Sequence, residues 1–345
     1  MKKILVGLSL LTACFSNSFA QDVHFSQYFT SPLTLNPALT GLTQCDLRFG
    51  ANYRTQWATV SNTPYTTGTV SFDIATLKNS LPEGDALGVG MLVLYDQSGT
   101  GALTNMTTGI SLAYHKSLGY YKNHTISFGV QGYIVQKKIN FNKLIFENQF
   151  DPNTGLTNLP SGEVPPTGDL TYPDFNIGLM YSGKINDYAT AYAGASLYHL
   201  SEPTENFLAG PGHKIHQRIS AYAGSSINLN DNMLLYLSAL YQSQAAATEV
   251  VLGAATGFIL NPGHDEYTRN TVLYMGGWYR YDDAIIPYIG LEFTKMKIGF
   301  SYDVNTSSFA PATNGAGGVE ISLIYNGCIN KRDPRPHYNF TCPKF

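Results

Sequence analysis

Asp22, His24 and Ser26 stand at alternate positions near the start of the chain, and their types are those of a hydrolase triad. Their spacing argues against that chemistry. On an extended segment, residues two apart lie about 6.5–7 Å from one another, whereas a nucleophile and its base must approach to about 2.6–3.2 Å. His115, between Tyr114 and Lys116, has no Ser or Asp at a clear partner position. His213 and His216 are spaced like metal ligands but lack an evident third ligand. Asp151-Pro152-Asn153-Thr154-Gly155 opens like a calcium loop without the Glu that closes one at the twelfth position, and reads as a turn. Gly88-Val89-Gly90 lies inside a strand pattern, where it signals close packing or curvature rather than a phosphate cradle. No catalytic residue, cofactor or metal is expected.

The elements that would hold these residues are strands. Charged residues are 13% of the chain, about half the roughly 25% usual in soluble domains. Hydrophobic residues nevertheless reach only 43%, and no apolar run after the first twenty residues approaches the length of a membrane helix, about 20 residues. A chain poor in charge but carrying 24 Tyr, 18 Phe and 33 Gly fits a transmembrane β-barrel, whose strands alternate lipid-facing apolar with lumen-facing polar residues. A net charge of −3 is too small to imply a nucleic-acid partner.

Between Lys295 and Val304 one face carries Lys295, Lys297, Gly299, Ser301 and Asp303; the other carries Met296, Ile298, Phe300, Tyr302 and Val304. The same period of two runs through Ile285–Phe293 and Val319–Tyr325. A Lys facing lipid at the bilayer midplane costs about 2–4 kcal/mol. Glu292, Lys295, Lys297, Asp303 and Glu320 are therefore expected in the lumen, unless they sit at the interface. Arg54 and Asp73, on neighbouring strands, are expected to join them and to pair across it. Pro287 lacks a ladder N–H, so its strand should bulge or fray. Trp57, Tyr95, Tyr198, Trp278 and Tyr279 lie near strand ends and suggest interface girdles.

Strand patterns fall near 45–56, 66–77, 87–96, 105–116, 124–136, 174–182, 188–200, 215–228, 233–243, 247–260, 269–280, 284–293, 295–304 and 317–326. Ala245-Ala246-Ala247 could equally open a short helix. An all-β barrel of about fourteen antiparallel strands follows, and an even count returns both ends to one side. From a periplasmic start, Lys137–Pro173 and Ser201–Lys214 become long outer loops. The connections at 183–187, 230–232 and 294–295 become short inner turns.

The first twenty residues form an export signal: Lys2 and Lys3, the apolar run Ile4–Leu11, then Ser18-Phe19-Ala20 as a cleavage site before Gln21. A rival reading takes Leu11-Thr12-Ala13-Cys14 as a lipidation site. Cleavage at Gln21 leaves Cys45, Cys328 and Cys342 in a compartment that permits disulfides. Three pairings are open; Cys328 with Cys342, nearest in sequence, is favoured. The mature chain divides into an arm (21–44), a barrel (45–326) and a periplasmic tail (327–345). Pro32 and Pro37 bias Ser31 and Asn36 toward extended backbone. The arm is thus expected to be extended, plugging the lumen or lying at the periplasmic mouth. Phe25, Tyr28, Phe29, Asn36 and Pro37 are its candidate partner-docking residues.

Gln21–Gly41, QDVHFSQYFTSPLTLNPALTG, resembles the amino-terminal signature of the PorP/SprF family of type IX secretion. The resemblance continues through Asn52–Trp57, Pro64-Tyr65, Ser71-Phe72-Asp73, Pro173–Gly178, the run from Ile289 to Tyr325 and the ending Cys342-Pro343-Lys344-Phe345. It implies a non-enzymatic outer-membrane barrel that works with the secretion components, including a periplasmic peptidoglycan-binding protein. It also implies a role in exporting or attaching a large adhesin with a type B carboxy-terminal signal. The alternative on the same fold is a porin or small-solute transporter.

Overall fold

In the computed structural model, residues 22–328 are described, apart from 44, 61–62, 79, 100–102, 152–154, 157–167, 208–211 and 261–270. The export signal, Cys14, the connection at 261–268 and the tail beyond Cys328 lie outside the described residues.

Fourteen antiparallel strands close into one barrel. In chain order they are β1 Leu47–Gln56, β2 Tyr65–Thr76, β3 Ala86–Ser98, β4 Leu103–Leu118, β5 His124–Ile139, β6 Asp169–Lys184 and β7 Ala189–Tyr198. There follow β8 Arg218–Asn230, β9 Met233–Gln244, β10 Ala247–Ile259, β11 Val272–Arg280, β12 Ala284–Phe293, β13 Met296–Asn305 and β14 Ala316–Gly327. Each pairs with its sequence neighbour, and β1 closes on β14 from Leu47↔Gly327 to Gln56↔Gly318.

The alternation in sequence becomes an inside-out barrel. Along β13, Lys297, Ser301, Asp303 and Asn305 are buried while Met296, Ile298, Phe300 and Val304 are exposed. Ile110, Phe128, Ile134 and Leu179 repeat the exposed apolar band on β4, β5 and β6. Polar residues inside and apolar ones outside are what a lipid-facing wall requires. Among the described residues no helix is long and apolar enough to cross a membrane.

Two local expectations resolve cleanly. Ala245 adopts φ 51° in a two-residue turn between β9 and β10, so no helix opens there. Pro287 pairs with Gly277 of β11, but the β12–β13 ladder lapses between Ile285↔Val304 and Tyr288↔Ser301. The register is the same on both sides of the gap, so the strand frays without bulging.

Both ends of the wall, Leu47 and Gly327, lie at what we call the inner mouth. The long connections 140–168 and 199–217 rise from the opposite, outer mouth. Each carries a small ribbon, Phe150–Asp151 against Gly155–Leu156 and Thr204–Glu205 against His213–Lys214. Glu205 ties the second ribbon to the wall through Lys137 and the Tyr172 hydroxyl.

The arm lies inside the barrel and is not extended. It coils through a 3-10 turn at Tyr28–Thr30, the helical turn α1 Pro32–Leu35 and a second 3-10 turn at Pro37–Leu39. Both prolines open a turn, where the fixed φ of proline suits the first helical position. Ser31 and Asn36 before them stay non-helical. The prolines therefore punctuate the arm rather than straighten it. At the inner mouth Cys45 is bonded to Cys328, correcting the expected pairing of Cys328 with Cys342. Strand pairing is the reason: Asp46 N–H donates to Gly327 O, which brings together cysteines 283 residues apart in sequence.

Candidate functional site

The candidate site is the lumen with the arm seated in it. Asp22 begins near the outer mouth, among Arg218 at the start of β8, Gln244 at the end of β9 and His199 just after β7. The arm then descends to Thr43 at the inner mouth, where Thr43 reaches Asn326. It therefore spans the lumen rather than gathering at the inner mouth.

The outer end is held by charge. His199 donates from Nε2 to Asp22 and from Nδ1 to Asp174, both at 2.6 Å, which requires an imidazolium. Burial alone would push His199 down, but Asp22 and Asp174 push it up to about 9. Burial likewise opposes the charge on Asp22, yet His199 and Arg218 hold its carboxyl well below the usual range. Burial pushes His24 down to about 4, so a neutral ring faces Glu249.

Below it, two arginines and three carboxylates of the wall converge on His24, Ser26 and Gln27. Arg54 donates to Asp303 at 2.9 Å and to His24 O at 2.6 Å. Arg280 donates to Asp303 and to Ser26 Oγ, and its Nε lies 3.3 Å from Glu249. Glu320 accepts the N–H groups of Ser26 and Gln27. Asp22, His24 and Ser26 thus diverge to three separate partners, and no triad forms.

The middle is aromatic. Tyr28 and Trp278 both donate to Ser238 Oγ, and the Phe29 ring packs 4.8 Å from Trp278. Lys297 Nζ sits 4.5 Å over the Tyr274 ring, while Glu292 accepts from the Tyr274 hydroxyl. Trp278 and Tyr198 are core residues of the lumen, not girdle residues, because their strand parity points inward. Tyr95 and Tyr279 face outward, and Trp57 lies half-buried at the outer rim.

The inner end is held by close backbone contact. Asn36 donates from Nδ2 to Leu179 O and Ala195 O, and its Oδ1 accepts from Ala38 N–H. A Cβ on Gly178 would fall 1.8 Å from Asn36 Oδ1, on Gly129 2.3 Å from Ala38 N, and on Gly88 1.9 Å from Thr40 O. Glycine is the residue that lets another backbone approach so closely. Gly41, at φ +71°, turns the arm out of this track, and its N–H donates to Asp73. Arg48 holds Asp73 bidentately and donates to the carbonyls of Leu39 and Leu42.

Arg54, Asp73, Lys297, Asp303 and Glu320 all lie buried in the lumen, and Glu292 is half-buried. Lys295 is not among them: it occupies the two-residue turn between β12 and β13. Arg54 and Asp73 do not pair, since the β1–β2 register sets Arg54 opposite Thr67 and Asp73 opposite Arg48. Phe25, Tyr28, Asn36 and Pro37 are buried and Phe29 half-buried, so in the seated arm these candidate docking residues pack within the lumen. Residue parity on the strands would have revealed Arg48, Asp174, Arg218, Glu249 and Arg280 as lumen charges; nothing local marks His199.

His115 has partners that sequence reasoning missed: Ser127 Oγ at Nδ1, 2.7 Å, and Thr40 O at Nε2, 2.8 Å. Both side chains are sealed beneath the arm, so the pair has no access to a substrate. His213 and His216 are exposed, and no three His, Cys, Asp or Glu of the described residues could hold a metal.

A protein-family model described as type IX secretion system membrane protein PorP/SprF matches residues 17–325. No curated protein matches. Among solved structures, the TodX deltaS2S3 mutant monoaromatic hydrocarbon channel superposes with a TM-score of 0.50 at 10% identity, covering 86% of this chain and 94% of that one. The Ralstonia pickettii toluene transporter TbuX gives 0.49 at 11%, covering 89% and 94%. A Pseudomonas aeruginosa FadL homologue gives 0.47 at 11%, covering 84% and 92%. At such identities the likeness is one of fold.

Proposed function

The chain belongs to the PorP/SprF family of type IX secretion system membrane proteins, and from that premise we propose that it is a non-enzymatic barrel supporting export or surface attachment of a large adhesin. It resides in the outer membrane, and we place its inner mouth toward the periplasm because the longer connections open at the other end, as outer loops of such barrels do. The observation that carries the reading is the seated arm. Its residues Phe25, Ser26, Gln27, Tyr28, Asn36 and Ala38 are all buried. A lumen occupied in this way suits a scaffold or gate better than an open diffusion pore. The partners we propose are the secretion components, among them a periplasmic peptidoglycan-binding protein, and an adhesin with a type B carboxy-terminal signal.

Docking through Phe25, Tyr28 and Phe29 would require an unseated arm. In the seated form, the turns at the inner mouth are the described parts within a partner's reach. Deletion of the gene should leave general type IX secretion intact and remove one large adhesin from the cell surface, measured by surface proteomics. Loss of all cargo would place the chain in the core machinery instead. Unchanged secretion with steady single-channel conductance of the purified barrel would favour the porin.

A further inference from the structure

We propose that the outer end of the lumen is a carboxylate-binding site, filled at rest by Asp22 and able to take the carboxylate of an acidic polypeptide segment in its place. Three donors define it. His199 Nε2 lies 2.6 Å from Asp22 Oδ2, Arg218 Nη1 3.4 Å from the same oxygen, and Gln244 Nε2 3.3 Å from Oδ1. Asp174 fixes the far side of the imidazole independently of the arm, and the Tyr198 ring lies 4.1 Å beneath the guanidinium, which the arm touches a second time at Thr34 O. With Asp22 withdrawn, Asp174 would be the one carboxylate among the described residues paired with His199 or Arg218, leaving a net positive vacancy. The adjacent Lys137–Glu205 pair neutralises itself.

Asp22 does not exhaust this site. Arg218 is 8% exposed, and its Nε has no hydrogen-bond partner among the described residues. Nη2 reaches Thr34 O, and Nη1 meets Asp22 only at 3.4 Å. A carboxylate arriving side-on would take two guanidinium N–H groups together, the stronger geometry for this pair. The Asp22 side chain is 27% exposed, so a competitor entering from the outer mouth can reach its donors. Exchange would free the arm at its outer end alone, because the Asn36–Gly41 track and Arg48 hold the other end separately. The proposal rests on the export reading only in naming a polypeptide as the source of the carboxylate.

The test uses the full-length barrel in detergent and the blocked peptide acetyl-(Glu)4-amide, with acetyl-(Gln)4-amide and free glutamate as comparisons. The acidic peptide should bind Asp22→Asn at least tenfold more tightly than the parent. Arg218→Gln should lower that affinity at least tenfold, and the glutamine peptide should not bind. His199→Gln should act in the same direction and serves where Arg218→Gln fails to assemble a heat-modifiable barrel. No binding to Asp22→Asn, equal affinity for it and the parent, or indifference to both cation variants overturns the site. Free glutamate binding as tightly as the peptide overturns the polypeptide source. Absent peptide binding with the adhesin still dependent on the gene sinks this proposal and spares the export reading. Binding as expected, with adhesin display unaffected by gene deletion, does the reverse.

Discussion

The two ends of the arm are held by different physics. At the outer end, Asp22, His24 and Ser26 meet His199, Arg218, Arg54, Arg280 and three wall carboxylates, so attachment depends on protonation and on exchangeable partners. At the inner end, Asn36–Gly41 lies against Gly178, Gly129 and Gly88 at distances that leave no room for a methyl group. Titratable groups near the outer mouth hold the first end; close backbone packing, with the buried Arg48–Asp73 pair beside it, holds the second. An arm built this way can loosen from outside while its base stays in the wall.

The comparison breaks most sharply at Arg54. Arg54→Ala would leave Asp303 and Glu320 buried with one cation fewer, and breaking a buried pair costs about 3–5 kcal/mol. The temperature at which the barrel loses its fast-migrating electrophoretic form should fall clearly, whereas Arg54→Ala with Asp303→Ala should recover part of the loss. Next in size is the glycine track. Gly129→Val should cost about 1–3 kcal/mol through overpacking and lift the inner half of the arm. A cysteine placed at Ala38 should then react with a water-soluble thiol reagent; one that stays protected would show that the track does not locate the arm.

The pH response separates the two ends directly. The folded pKa of His199, about 9, exceeds its ordinary 6.5, so its stabilisation is complete below about 6.5 and is lost as pH rises through about 9. Asp22 is depressed from 3.8, so its contribution is present above that value and fades in stronger acid. Amide exchange at Asp22–Ser26 should therefore accelerate between pH 6 and pH 10, after correction for the intrinsic rate, while Ala38–Gly41 should not. Parallel acceleration at both ends would erase the distinction. The smallest effect is expected at Lys184→Ala: its partner Asp187 is exposed on an inner turn, and such pairs contribute about 0–1 kcal/mol. Melting should be unchanged within error.

Legibility in the sequence followed the range of the forces involved. Parity along one strand is a local property, so the inward Lys297, Asp303 and Glu320, the outward Ile298 and Phe300 and the fourteen strands could be read from alternation alone. A low fraction of charge made every charge within a strand conspicuous, and the family signature lay in the arm itself. Partner choice was another matter. That Arg54 meets Asp303 rather than Asp73, and Cys45 meets Cys328 rather than Cys342, depends on register and on closure of β1 upon β14. The direction of the arm, the burial of Phe25 and Tyr28, and the meeting of Asp22 with His199 depend on a lumen that exists only once the barrel has closed. Alternation sets which side a residue faces; only the closed wall sets what it finds there, because those contacts join residues that no local pattern relates.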